Sequence, residues 1–156
     1  MKDSQMTQTL QQDSDRSGKI VVLNKDLFFG VKIGNTLRSI GYTVEFAMKS
    51  DEFVRLMSSD TDKVVLGIVD INAGVDWDVI SAMTGADRPV APVLAFGSHL
   101  DVSGLRAAKN AGARRVVSNG EFHREMVKLV QRYATSLEHS PEGEEIPSEV
   151  DILFAG

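Results

Sequence analysis

The stretch VVLGIVDINAG, Val64 to Gly74, runs apolar for six residues, stops on Asp70 and passes through Asn72 to a glycine. An aliphatic run of this length predicts a strand covered on both faces, as in a parallel sheet. A strand that ends on a carboxylate delivers it to the sheet edge where open α/β sheets hold their ligands. Asp70 is therefore the first candidate functional residue. It is either a reactive or ligand-binding group, or a strand-end charge neutralised by its neighbours.

Outward from this strand the pattern repeats. KIVVL (19–23) is a short β-branched run, and DLFFGVKIGNTLRSIG (26–41) sets Phe29, Ile33, Leu37 and Ile40 at helical spacing before the stop at Gly41. YTVEFA (42–47) alternates like a strand, and SDEFVRLMSS (50–59) reads as a short helix with Ser50 as its N-cap. After strand 64–70 come a helix over 77–85, strand PVLAFG (92–97), a helix over 101–112, strand RRVVS (114–118) and a helix over 121–135 striped by Phe122, Met126, Leu129, Val130 and Tyr133. Five strands alternating with five helices predict a doubly wound, five-stranded parallel sheet of the flavodoxin-like type, its functional edge at the C-terminal strand ends.

The chain has 156 residues, 42% hydrophobic and 25% charged, and suggests one domain over 19–135 between two polar segments. Residues 1–18 are polar and unpatterned and are expected to be disordered. The absence of cysteine excludes disulfides, thiolate metal sites and cysteine catalysis. His99, His123 and His139 lack ligand spacing, so no histidine metal site is expected. No apolar run is long enough to span a membrane and no signal peptide opens the chain, which predicts a cytoplasmic protein. The net charge of −5 is uneven. Residues 136–156 hold six acids and no Lys or Arg, residues 1–18 carry −1, and the domain between them is mildly basic at +2.

DINAG after the third strand, AGARRVVSNGEF leading into the last helix, and the five βα units resemble the receiver domains of two-component response regulators over about residues 19–135. The resemblance implies a phosphoacceptor aspartate, which falls on Asp70, and a metal-binding backbone carbonyl, which falls on Asn72. Its pair of Mg²⁺-binding acids falls on Asn24 and Lys25. Its Thr or Ser falls on Gly97, with Ser98 one residue further on, and its Lys falls on Asn119, followed by Gly120 in place of proline. Its aromatic switch position falls on Val116. An amide and a cation where Mg²⁺ needs carboxylates argue against metal binding. Without metal, lysine and hydroxyl, little remains to hold the charge of phosphoryl transfer.

The residues leave further readings open. Lys25 is expected as a counter-ion replacing Mg²⁺ beside Asp70, or as a surface lysine. Asp26 is a displaced acid or a carboxylate at a helix N-terminus. Gly30 and Gly34 sit inside a helical stripe and suggest close helix packing, while Trp77 is expected to serve packing. Arg106, Lys109, Arg114, Arg115, Arg124, Lys128 and Arg132 gather in helix four, strand five and helix five, either as a solvated face or as a surface for a homodimer or a signalling partner. An acidic chain without a nucleic-acid motif speaks against nucleic acid. The acidic segment 136–156 turns apolar at Ile152, Leu153 and Phe154, which suggests a peptide that docks on its own domain or on a partner.

The expected function is that of an atypical, stand-alone receiver: a phosphorylation-independent protein-interaction module, not an enzyme, with no cofactor. Two alternatives stand beside it. One is a conventional response regulator phosphorylated on Asp70 by a histidine kinase; the other is a small-molecule sensor using the vacated acidic site.

Overall fold

A computed structural model describes residues 17–134. The 1–16 and 135–156 segments, with the expected tail motif Ile152, Leu153 and Phe154, lie outside the described residues. Strands β1 (Lys19–Leu23), β2 (Thr43–Ala47), β3 (Val64–Asp70), β4 (Val93–Gly97) and β5 (Arg115–Ser118) alternate with helices α1 (Leu27–Ser39), α2 (Ser50–Met57), α3 (Trp77–Thr84), α4 (Val102–Asn110) and α5 (Asn119–Tyr133). The sheet order is β2-β1-β3-β4-β5 and all four pairings are parallel. This is the doubly wound α/β architecture that the alternation predicts.

Covering both faces of a parallel sheet requires two cores. On one side Ile33 and Leu37 of α1 join Phe122, Met126, Val130 and Tyr133 of α5 over Ile20, Val22, Leu66, Ile68 and Phe96. On the other, Phe53 and Met57 of α2, Ile80 and Met83 of α3 and Leu105 of α4 cover Val21, Leu23, Val69 and Val116. The alternation of side chains along each strand divides them between these sides. At Gly67, in central β3, an added Cβ would come within 2.7 Å of Met57 Sδ and 2.8 Å of Phe53 Cζ. The glycine lets α2 sit directly on the strand's backbone. Trp77 opens α3 and packs partly buried against the second core, as expected.

The helix ends follow local chemistry. Asp26 caps α1 by accepting from the Phe29 N–H at 3.0 Å, and Gly41 (φ 100°) ends it. Ser118 caps α5 by accepting from Glu121 N–H at 3.1 Å, so α5 begins two residues earlier than the stripe alone suggests. Inside α5, Glu125 leaves helical torsions (φ −113°, ψ 20°). The N-cap of α2 is Lys49, not Ser50. The buried Ser50 hydroxyl instead accepts from Asp76 N–H at 2.8 Å, tying α2 to the loop before α3.

Candidate functional site

At the C-terminal strand ends, Leu23 pairs with Val69 and Asp70 with Phe96, so Asn24 and Asp70 stand side by side where the strand order reverses. A cavity of about 250 Å³ opens there, lined by Asp26, Phe29, Asp70, Ile71, Asn72, Phe96, Ser98, Asp101 and Asn119. A larger one, about 570 Å³, lies at the opposite sheet edge between residues 57–64 and 88–91, near the Arg88–Asp60 ion pair. Sheet topology places ligand chemistry at the other edge, and the smaller cavity holds the strand-end residues.

Asp70 is 6% exposed. Its Oδ1 accepts from the Asn72 N–H at 2.9 Å, which closes the carboxylate onto the single 3₁₀ turn Ile71–Ala73. Burial pushes its pKa above the ordinary carboxylate value; the Asn72 N–H opposes that shift, and the negative charge of Asp26 adds to it. The counter-ion expected in Lys25 is not there. Extended backbone sends successive side chains to opposite sides, so Asn24 shares a side with Asp70 and Lys25 does not. Lys25 is exposed, and its Nζ lies 3.6 Å from where a Cβ on Gly74 would stand.

The other positions implied by the receiver resemblance are engaged locally. The buried Asn24 folds over its own loop: Nδ2 donates to the Asp26 carbonyl at 2.8 Å, and Oδ1 accepts from the Asp26 N–H at 3.1 Å. Asp26 does reach the cavity, but its carboxylate caps α1. At Gly97 a Cβ would meet Ile71 Cβ and Cδ1 at 3.0 Å, so Ile71 crowds any side chain at the position the resemblance gives to Thr or Ser. Ser98 accepts from the Leu100 N–H at 3.2 Å at the cavity rim, and Asn119 opens α5 beside it. Val116 is buried. Among the described residues no group of three or more His, Asp or Glu side chains is placed to hold a metal ion.

Sequence reading did not mark Ile71, Phe96 or Asp101 for this site, and took Phe29 for a stripe residue of α1 and His123 for a histidine without ligand spacing. Asp101 caps α4, accepting from the Gly104 N–H at 3.0 Å, and its place just after β4 is the signal that marks it for this edge. His123 is visible in three dimensions alone. Its ring stacks on Phe29 at 4.6 Å and stands edge-on to Phe96 and Phe122, behind the cavity wall. Neither ring nitrogen has a hydrogen-bond partner among the described residues, and burial, with Lys32 nearby, holds its pKa below 6.5.

The basic residues of α4, β5 and α5 do not act alike. Arg115 is half-buried and bonds Glu121 at 2.9 Å, because β5 is an edge strand lying alongside the start of α5. It serves the fold and not an open face. Arg106, Lys109, Arg124, Lys128 and Arg132 are exposed; Arg124 and Lys128 flank Glu125 at 3.6 Å, and Arg132 lies over the Tyr133 ring.

Neither a family model nor a curated protein matches the sequence. Solved structures do match. The receiver domain of the TMAO respiratory response regulator TorR superposes with a TM-score of 0.63 at 19% identity, over 73% of this chain and 93% of that one. A putative response regulator from Chloroflexus aurantiacus gives 0.62 at 19%, over 78% and 98%. NtrX from Brucella abortus gives 0.61 at 15% over 76% of this chain, which spans only 27% of NtrX. The fold is that of a response-regulator receiver domain. Asp70 ends β3, where the resemblance in sequence leads a phosphoacceptor to be expected. No helix among the described residues is long and apolar enough to cross a membrane.

Proposed function

We propose that this receiver domain works without phosphorylation, as a protein-interaction module of cytoplasmic signalling that carries no catalytic step and no cofactor. The observation that carries this reading is the closure of the site on itself. Asp70 is buried with Oδ1 held by its own turn, Asn24 is held by its own loop, and Ile71 crowds the space a side chain at Gly97 would take. Mg²⁺ needs oxygen ligands supported by one or two carboxylates, and the residues here do not fit it: two carboxylates of the cavity, Asp26 and Asp101, cap helices. Partner contact, with a histidine kinase or another signalling protein, or with a second copy, falls to exposed surface such as Arg106, Lys109, Arg124, Lys128 and Arg132.

A conventional response regulator phosphorylated on Asp70 is the second reading, favoured by the place of this carboxylate at a cavity with Ser98 and Asn119 on its rim. The small-molecule alternative is weaker, because about 250 Å³ falls below the ~300–1,000 Å³ common for ligand sites. Mass spectrometry after incubation with acetyl phosphate and Mg²⁺ separates the first two. The expected result is an unchanged mass. A gain of about 80 Da, one phosphoryl group, that disappears in Asp70→Asn establishes the conventional regulator instead.

A further inference from the structure

The described surface carries its largest concentration of large exposed apolar side chains on α1 and just after β2, next to the Asp70 cavity but outside it. Leu27 (84% exposed), Phe28 (79%) and Val31 (63%) project from α1, and Met48 (57%) follows edge strand β2. Between α1 and β2 runs a groove of about 330 Å³ lined by Leu27, Gly30, Val31, Asn35, Phe46 and Met48, with Lys25, Asp26 and Arg38 along its rim. Its depth comes from the two glycines of α1. The half-buried Phe46 ring lies 3.8 Å from where a Cβ on Gly30 would stand and 3.4 Å from one on Gly34, so the ring forms a floor that larger residues would fill. Of the rim charges, Asp26 is committed to capping α1. Lys25 and Arg38 are exposed and make no ion pair among the described residues. An apolar floor under two unpaired cations is complementary to a peptide that combines carboxylates with large apolar side chains.

We infer that the α1–β2 groove is the docking site for this chain's own EEIPSEVDILF segment, residues 144–154. The segment has the required chemistry: Glu144, Glu145, Glu149 and Asp151 and no Lys or Arg, then Ile152, Leu153 and Phe154. The tether reaches. The roughly eighteen residues from Ala134 to Ile152 span up to about 60 Å when extended, several times the radius of gyration of about 13 Å expected for a domain of this size. Helices α5 and α1 cover the same side of the sheet, so the chain leaving α5 does not have to pass round a sheet edge. The basic face of α4, β5 and α5 is the competing site for an acidic segment. It offers charge but, among the described residues of these elements, two exposed large apolar side chains on different helices, Val102 at the start of α4 and Val127 on α5, both less exposed than Leu27, Val31 and Met48. The inference is independent of whether Asp70 is ever phosphorylated.

The chain has no cysteine, so a single nitroxide can be attached to the full-length protein through Ala155→Cys. Paramagnetic broadening of amide signals should centre on Leu27 to Val31 and on Met48, with most of their intensity lost. The loss should shrink in 1 M salt, where the Debye length falls to about 3 Å. It should disappear when Val31→Asp and Met48→Asp are combined; both sites are exposed, and unchanged signals from the buried core would show that the fold persists. Broadening centred on Arg106, Arg124 and Lys128 would assign the segment to the basic face and overturn the inference. Broadening spread evenly over the domain would overturn it as well. So would broadening that appears on the unlabelled, isotope-enriched chain in a mixed sample, since the groove would then take a second copy's segment.

Discussion

The Asp70 cavity and the α1–β2 groove share one wall residue, Asp26, and are built on opposite terms. In the cavity the polar groups are spent internally: Asp70 on the Asn72 N–H, Asn24 on its own loop, Asp26 and Asp101 on helix ends. In the groove the apolar side chains and two cations are exposed and have no partner among the described residues. A hydrogen bond already made contributes to the fold but cannot be offered to a ligand without being broken, whereas exposed apolar area gains free energy on first contact. The edge of the sheet where receivers hold phosphate is thus the closed region of this molecule, and the flank of α1 is the open one.

The most disruptive way to test this contrast is to rebuild a receiver in the cavity. Gly97→Thr should destabilise the domain by about 1–3 kcal/mol, the usual cost of overpacking, because its Cβ lands 3.0 Å from Ile71. In an Ile71→Ala background the added cost should be smaller, and denaturant melts of the four proteins measure the coupling. Additive effects would mean that Ile71 does not close the position.

Next in size come the buried Asp70 and the half-buried His123, which respond to pH in opposite directions. The folded pKa of Asp70 lies above its ordinary 3.8, so the folded state binds the proton more tightly and stability falls as pH climbs through that value. Asp70→Asn keeps the oxygen that accepts from Asn72 and removes the buried charge. It should stabilise the domain at pH 7 by on the order of 1 kcal/mol, a gain that fades below pH 3.8. His123 is shifted below 6.5, so its unfolded form takes up protons first and stability falls as pH drops through 6.5. His123→Phe should remove that acid-side loss and also the two unpartnered nitrogens. Melting temperatures from pH 4 to pH 8 read both slopes.

The smallest effects belong to the groove. In a chain ending at Ala134, where no segment can cover the groove, Val31→Ser and Met48→Ser should each change stability by less than about 0.5 kcal/mol, as expected for exposed positions. Lys25→Ala and Asp70→Ala should add to within about 0.3–0.5 kcal/mol, since the two side chains do not meet. A larger coupling in thermal melts would restore Lys25 as a counter-ion.

Sequence alone carries the five strands, because a parallel sheet covered on both faces demands apolar runs that few other structures need. It also carries Asp70 as a strand-end carboxylate and the engagement of Trp77 in packing. It does not carry the direction of Lys25. Whether a residue just past a strand turns toward its neighbour depends on the loop's torsions, here set by the two hydrogen bonds of Asn24. Ser50 looks like a helix cap in one dimension because its partner, Asp76, is 26 residues away. Ile71 is invisible for the same reason: an apolar residue after Asp70 announces nothing until β4 brings Gly97 beneath it. The groove is half legible, for Gly30 and Gly34 are conspicuous in α1, but the ring they admit, Phe46, comes from another element.

The break at Glu125 makes α5 two cooperative units rather than one. Residues 119–124 are held by the Ser118 cap and by Phe122, whose ring lies parallel to Phe96 at 4.1 Å; the remainder is held by Met126, Leu129, Val130 and Tyr133. A helix interrupted in this way loses the propagation that makes a continuous one open all at once. The front unit therefore has a local opening free energy of its own, lower than that of the whole domain, and it is the unit that backs the cavity wall through His123 and Phe29. Transient unwinding of six residues would loosen that wall while the sheet and the rear of α5 stay folded.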